Sequence, residues 1–523
     1  MQTNFKSSVG DLFKNNLSNL KISFSKISNF LNKELSAKNA FLLLFILYSL
    51  ALLSILRENI SYRDDIGRTA YGFSGWLDFS RYTTEYLSKL IHASSYLSDI
   101  SPIPQIIAII ELSLASIFLL KCITGKKTYN LWQIVATISL ALNPYFLECL
   151  SFKFDSPYMA LSILVAVAPV LFIKHFYFFF TSTVISTVII CTSYQASIGI
   201  LPMVTVFSLL SMYINGETLK NIFKTAFYFA IAFLAGAIIF KTLILQPTVR
   251  DYVTIDIAPF DILPNLFVKN MAMYYSDLFS KSGFIGSSAI CKKTIIITTV
   301  VMLIVCVFNS KNNKLLTLLL AALSLTLGAI LTYGFYACLE KPLFIPRALY
   351  GIGVLLACIF TIAVSYKEFF IAKICSVILG WSLIVTASSY GNALVTQKNW
   401  EKFRAEEVVI DLASIDQGRK EGRKEGRKEG RKERKKYKVE GNCGLSPSLS
   451  YLTIDKPIFK RLIPQTLGQE FWFWNEPQLS YAYGISELTY DNEITDKGTP
   501  LSIRETKYHT IKVFEDKLII KLK

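Results

Sequence analysis

Residues 61–68 read Ser-Tyr-Arg-Asp-Asp-Ile-Gly-Arg and begin shortly after an apolar segment that ends at about Leu56. Paired carboxylates between two guanidinium groups at the exit of an apolar segment suggest chemistry at the water interface. Ionisable groups beside a bilayer are costly to desolvate and more often functional than decorative, the alternative being a solvated loop with surface ion pairs. Successive side chains on a helix or strand point in different directions, so Asp64 and Asp65 are not expected to share one proton.

Other stretches offer supporting groups. Residues 69–86 alternate aromatic and charged types around Gly75-Trp76, as for a helix at headgroup depth, and Trp76 could face a sugar ring. Asp155 lies in Phe152-Lys153-Phe154-Asp155-Ser156-Pro157, a second acidic site whose plain alternative is helix capping before Pro157. Tyr194 and Gln195 occupy a polar turn between two apolar runs. Arg347 follows Pro346 and presents a forked cation at lipid-phosphate depth, or else an ordinary snorkelling anchor. Phe471, Trp472 and Trp474 form an aromatic cluster suited either to a sugar platform or to docking the tail.

The elements that position these groups follow from composition. The chain has 523 residues, 52% of them hydrophobic and 14% aromatic, with a mean hydropathy of +0.42. That excludes a soluble single-core enzyme and defines a polytopic, all-α membrane protein. Segments near 40–56, 103–120, 131–147, 157–173, 177–191, 196–213, 222–245, 294–308, 315–335, 348–365 and 371–389 approach the roughly 20 residues a span needs, which predicts about eleven helices. Lysines of the N-terminal arm and of alternate short loops, including Lys126, Lys127, Lys174, Lys220 and Lys311, fall on one side, expected to be cytoplasmic. Lys292 and Lys293 break this pattern. An odd number of spans then places the tail outside with the Asp64–Asp65 loop. Residues 1–38 carry apolar side chains at three- and four-residue steps between lysines, a cytoplasmic amphipathic helix on an anionic leaflet. Residues 39–390 are the membrane domain and 391–523 a small outer α/β domain with short strands near its end.

The net charge of +17 does not point to nucleic acid. Residues 418–440 alone hold twelve Lys or Arg and five Glu, most of them in four consecutive Gly-Arg-Lys-Glu units spanning 418–433 and a basic extension to Lys436. Such a glycine-containing charged repeat reads as a linker. Nine cysteines show no disulfide or metal-ligand spacing, and His92, His175 and His509 lie far apart. No cofactor is required by these residues, and dependence on a divalent metal stays open.

Taken in order, Arg63-Asp64-Asp65-Ile66-Gly67-Arg68, Gly75-Trp76, the Asp155 stretch, Ser193-Tyr194-Gln195-Ala196-Ser197 and the tail run Phe459-Lys460-Arg461-Leu462-Ile463-Pro464 with Phe471-Trp472-Phe473-Trp474 resemble the type II glucosyltransferases of bacterial O-antigen serotype conversion. The resemblance runs from about Asn39 to Trp474, and the Gly-Arg-Lys-Glu array is not part of it. It implies a GT-C type transferase of the bacterial inner membrane. Such an enzyme takes a sugar, here glucose, from a polyprenyl-phosphate donor and adds it to O-antigen on the periplasmic face, with membrane lipids around it. On this pattern Asp65 is slightly preferred over Asp64 as base, Asp155 assists, and Arg347 with Arg63 or Arg68 contacts phosphate. The competing class is a transporter or flippase for a lipid-linked glycan, which would string charges across the bilayer; Glu111 is the one carboxylate read as mid-span.

Overall fold

The computed structural model describes residues 31–246, 258–366, 369–422, 435–468, 479, 488–491 and 493–523. Most of the N-terminal arm, three of the four Gly-Arg-Lys-Glu units, and Phe471, Trp472 and Trp474 lie outside the described residues.

All eleven apolar segments are helical, but they are not equivalent. Seven helices are long and apolar enough to cross a membrane: Ile103–Thr124, Phe176–Ser193, Gln195–Ile214, Leu219–Ile244, Ala289–Asn309, Lys314–Leu331 and Phe370–Ser414. An eighth candidate is a broken one, Leu131–Leu142 followed by Pro144–Ser151 at 60°. Ala37–Ala51, Ser156–Phe172 and Gly351–Val364 are apolar but shorter, at 10–17 residues. The expectation of eleven spans thus resolves into seven or eight by length and composition. Hydropathy alone does not separate a lipid-facing helix from a core helix. Gly351–Val364 is such a core helix, being buried at every position.

The break at Asn143–Pro144 shapes the interior of the bundle. Proline disfavours the α conformation in the residue before it, and Asn143 is accordingly extended (φ −64°, ψ 143°). Its side chain then serves both helices: Oδ1 accepts from the Phe146 backbone N–H at 3.1 Å, while Nδ2 donates to the Ser139 carbonyl at 3.1 Å. The helix Gly351–Val364 closes on this corner through Gly353. A Cβ there would lie 2.3 Å from Asn143 Nδ2 and 2.4 Å from the Ser139 carbonyl, so only glycine fits without displacement. The short helix Pro144–Ser151 is therefore held inside the bundle, with all eight residues buried.

At one edge of the bundle β1 (Leu35–Ser36) pairs antiparallel with β2 (Thr128–Tyr129). The last membrane helix does not stop at the lipid boundary; it continues unbroken from Phe370 through Gly391 to Gly422, carrying the first Gly-Arg-Lys-Glu unit as helix. Five further strands follow, β3 (Lys435–Glu440), β4 (Leu488–Tyr490), β5 (Ser502–Glu505), β6 (His509–Val513) and β7 (Lys517–Leu522), in the sheet order β4-β3-β7-β6-β5. Strand β6 alternates buried and half-buried residues, as a one-faced strand should. Its inward side chains Ile511 and Val513 join Tyr437, Val439 and Ile520 over Ala405, Val408 and Leu412 of the long helix. Polar pins reinforce this packing: Arg404 donates to the carbonyls of Cys443 (3.1 Å) and Lys523 (2.9 Å), and Asp411 meets His509 at 3.0 Å and Arg504 at 3.1 Å.

The tail also reaches back into the helical bundle. Tyr62 Oη donates to the Leu462 carbonyl at 2.7 Å, and Arg461 Nη1 lies 2.7 Å from Asp277 Oδ1. Tyr145 Oη donates to the other oxygen of Asp277 at 3.1 Å.

Candidate active site

A cavity of about 700 Å³ is lined by residues from five separate connections: 64–81, 152–159, 191–198, 237–245 and 335–347. Four of these lie at or between the ends of apolar segments, and 237–245 is the end of the helix Leu219–Ile244. Sequence reasoning placed four of these stretches, all but 237–245, on one face, and the structure brings Asp64, Arg68, Trp76, Asp155, Tyr194, Gln195 and Arg347 around one cavity.

The two adjacent aspartates part company. The chain turns at Arg63 (φ 48°) into the helix Asp64–Tyr71, which sends Asp64 to the cavity and Asp65 inward. Asp64 is exposed and makes no hydrogen bond or ion pair with the described residues. Asp65 is fully buried and does not line the cavity; its Oδ2 accepts the backbone N–H groups of Tyr62 (3.1 Å) and Lys153 (2.9 Å). It fastens the first loop to the third, and burial pushes its carboxyl up to about 7. Placement thus runs against the preference for Asp65 as base: Asp65 is buried and tied to two backbone amides, whereas Asp64 lines the cavity.

Asp155 begins the helix Ser156–Val167 but makes no side-chain capping bond. Its carboxylate is used otherwise: Oδ2 accepts from Arg68 Nη1, and Oδ1 accepts from Trp76 Nε1 at 2.6 Å. The Arg68 guanidinium also sits 4.8 Å from the centre of the Trp76 ring. Trp76 in turn meets Tyr158 edge-on at 5.3 Å. Arginine, aspartate and tryptophan thus form one rigid wall, with Arg68 neutralised.

Arg347 stands on a 3-10 turn, Pro346–Ala348, before the buried helix. It is held by a residue the sequence reading passed over. Glu148, wholly buried on the short helix after the Asn143 corner, accepts from Arg347 Nη1 at 2.9 Å and from the Arg347 backbone N–H at 2.8 Å. Tyr62 Oη points at the same carboxylate from 3.4 Å, and Arg63 Nε lies 3.7 Å away. Arg63 accordingly faces Glu148 and does not line the cavity. Glu111, the carboxylate singled out as mid-span, is also absent from the lining. The detectable signal for Glu148 was a lone acid within the apolar run Pro144–Ser151, just past the assigned end of the third segment.

Tyr194 donates to the Arg347 carbonyl at 3.0 Å, and Gln195 Nε2 donates to the Phe79 carbonyl at 3.1 Å, locking the first loop over the cavity. Two lining cations were not selected from sequence: Arg81, whose Nε donates to Gln195 Oε1 at 3.3 Å, and Lys241, on the π-helical turn Phe240–Ile244. Ala237, Phe240, Leu245, Phe335, Leu339 and Leu343 make the remaining wall largely apolar. Among the described residues, no three His, Cys, Asp or Glu side chains gather in a metal-binding arrangement.

A multi-helical membrane protein with a cavity of carboxylates, arginines and aromatic rings opening beside an apolar wall has the make-up of a glycan-modifying membrane enzyme. Residues 53–358 match the family Glucosyl transferase GtrII, and the chain belongs to that glycosyltransferase family. It is also similar to a protein of Salmonella phage P22 described as an uncharacterized 55.3 kDa protein in the gtrB 5' region. The two are 25% identical over 472 residues, covering 87% of this chain and 92% of the phage protein. No solved structure matches the chain.

Proposed function

We propose that the protein transfers a glucosyl residue from a polyprenyl-phosphate donor to a hydroxyl of O-antigen, at the periplasmic face of the bacterial inner membrane. The observation that carries this reading is Asp64: of the two adjacent aspartates it is the one that reaches the cavity, and it does so unpaired with the described residues. In the reaction the acceptor oxygen attacks the anomeric carbon while Asp64 takes its proton. The bond from that carbon to the phosphate oxygen breaks, and the phosphate leaves with the electron pair. Trp76, held by Asp155 and covered by Arg68, stiffens the wall on which the sugar rests, and the apolar wall suits the prenyl chain. Phe471, Trp472 and Trp474 remain proposed acceptor contacts. The gathering of Asp64, Asp155 and Arg347 around one cavity favours transfer over translocation, which needs charges distributed along a path.

Removing a general base typically costs about 10² to 10⁴ in rate. The Asp64→Asn protein should therefore accumulate normally in the membrane but lose transfer from polyprenyl-phosphate glucose by that factor. Full activity in Asp64→Asn would remove Asp64 from the mechanism.

A further inference from the structure

Four cations line the cavity, and they are not equally available. Arg68 is paired with Asp155 and Arg347 with the buried Glu148, so each carries a local counter-charge. Arg81 and Lys241 have no acidic partner among the described residues. Arg81 is held from behind: Nε is bound to Gln195, and its guanidinium carbon lies 5.0 Å from the Phe79 ring centre and 4.9 Å from that of Tyr194. Its two Nη groups make no hydrogen bond to the described residues, leaving a preorganised fork. Lys241 is brought to the same loop by its own helix end, because Ser80 Oγ, next to Arg81, accepts the Gln246 backbone N–H at 3.0 Å. The residues continuing from Lys241 along this wall, Phe240 and Leu245, are apolar, as is Phe335 opposite.

We infer that Arg81 and Lys241 form the subsite for the phosphate of a lipid-linked phosphate ligand, with the hydrocarbon chain leaving the cavity past Phe240, Leu245 and Phe335. This rests on the donor proposed above and moves the phosphate away from the arginines that the sequence pattern suggested. A planar fork and a flexible ammonium, neither ion-paired with the described residues, match a phosphate monoester or diester better than a neutral sugar does. Arg68 and Arg347 then serve the walls rather than the leaving group.

The test uses the full chain in nanodiscs and radiolabelled undecaprenyl phosphate as probe, with unlabelled undecaprenol and UDP-glucose as competitors. Wild type should bind the probe, and neither competitor should displace it. Arg81→Gln and Lys241→Gln should each weaken binding on the order of tenfold to a hundredfold, the usual worth of a hydrogen bond to a charged group. Lys241→Arg should restore most of it, and all variants should stay monodisperse. Unchanged affinity in an Arg81→Gln/Lys241→Gln double variant overturns this subsite and leaves the donor class standing. Failure of wild type to bind undecaprenyl phosphate, or displacement of the probe by UDP-glucose, overturns the subsite together with the lipid-phosphate donor.

Discussion

The Glu148 carboxylate is the sharpest place to perturb the protein, because its environment lets the cost be reasoned in advance. It is wholly buried and faces two guanidinium groups, Arg347 at 2.9 Å and Arg63 at 3.7 Å, whose side chains are each 23% exposed. Replacing it by alanine leaves both cations facing a site without counter-charge and the Arg347 backbone N–H without its acceptor. Breaking one side of a buried pair costs about 3 to 5 kcal/mol, and the partial exposure of the arginines argues for the lower end. Glu148→Gln keeps the volume and one acceptor oxygen, so its cost should be near that of a charge-assisted hydrogen bond, roughly 2 kcal/mol. Arg347→Gln removes the cation itself, and in the Glu148→Gln/Arg347→Gln protein two amides can pair where two charges did. The double variant should therefore be more stable than the sum of the single losses predicts, by about 1 kcal/mol or more.

Thermal unfolding of the four purified proteins in one detergent, followed by intrinsic fluorescence, gives the ordering. Transfer activity should remain low in every variant lacking Arg347, since that side chain lines the cavity whatever the stability does. Simple addition of the two single losses, with no recovery in the double variant, would mean that Glu148 and Arg347 do not depend on each other, and the account of how Arg347 is positioned would fall.

The pH dependence should reveal Asp65. Its carboxyl is raised to about 7 by burial, above the unfolded value of about 3.9, so the folded state holds an extra proton between these values. That stability is fully present below about pH 4 and is lost as pH rises through about 7; Asp65→Asn should flatten this part of a melting-temperature profile. Arg461→Ala should release the tail from Asp277 at a cost of roughly 1 kcal/mol, because the pair is partly exposed. Amide exchange should then speed up in residues 456–464 while the membrane helices keep their protection. Reporter fusions after Lys127 and after Lys523 should report opposite sides of the membrane, cytoplasmic and periplasmic respectively.

What could be read from the sequence was whatever depends on local pattern. Apolar run length located the candidate spans, though not the helix Leu263–Phe279 or the extension of the last helix to Gly422, and residues 64, 155, 195 and 347, read as lying on one face, do line one cavity. What could not be read was which charge neutralises which. Glu148 and Arg347 are 199 residues apart, and nothing near either one names its partner. Asp155 satisfied the local rule for a helix cap, yet a guanidinium and an indole from the first loop claim both of its oxygens, because an ion pair away from water outweighs one capping bond. The same long-range pairing bears on Arg68 and Arg347, expected as phosphate contacts: each has an acidic partner from a distant loop or helix, which neither local sequence discloses. Charges arrayed in a motif are the ones most often neutralised by the fold, and a cation left unpaired at a cavity wall is the one still able to bind an anion. Among the described residues the cavity-lining cations without an ion pair are Arg81 and Lys241, and it is this difference in pairing that singles them out for the proposed phosphate subsite.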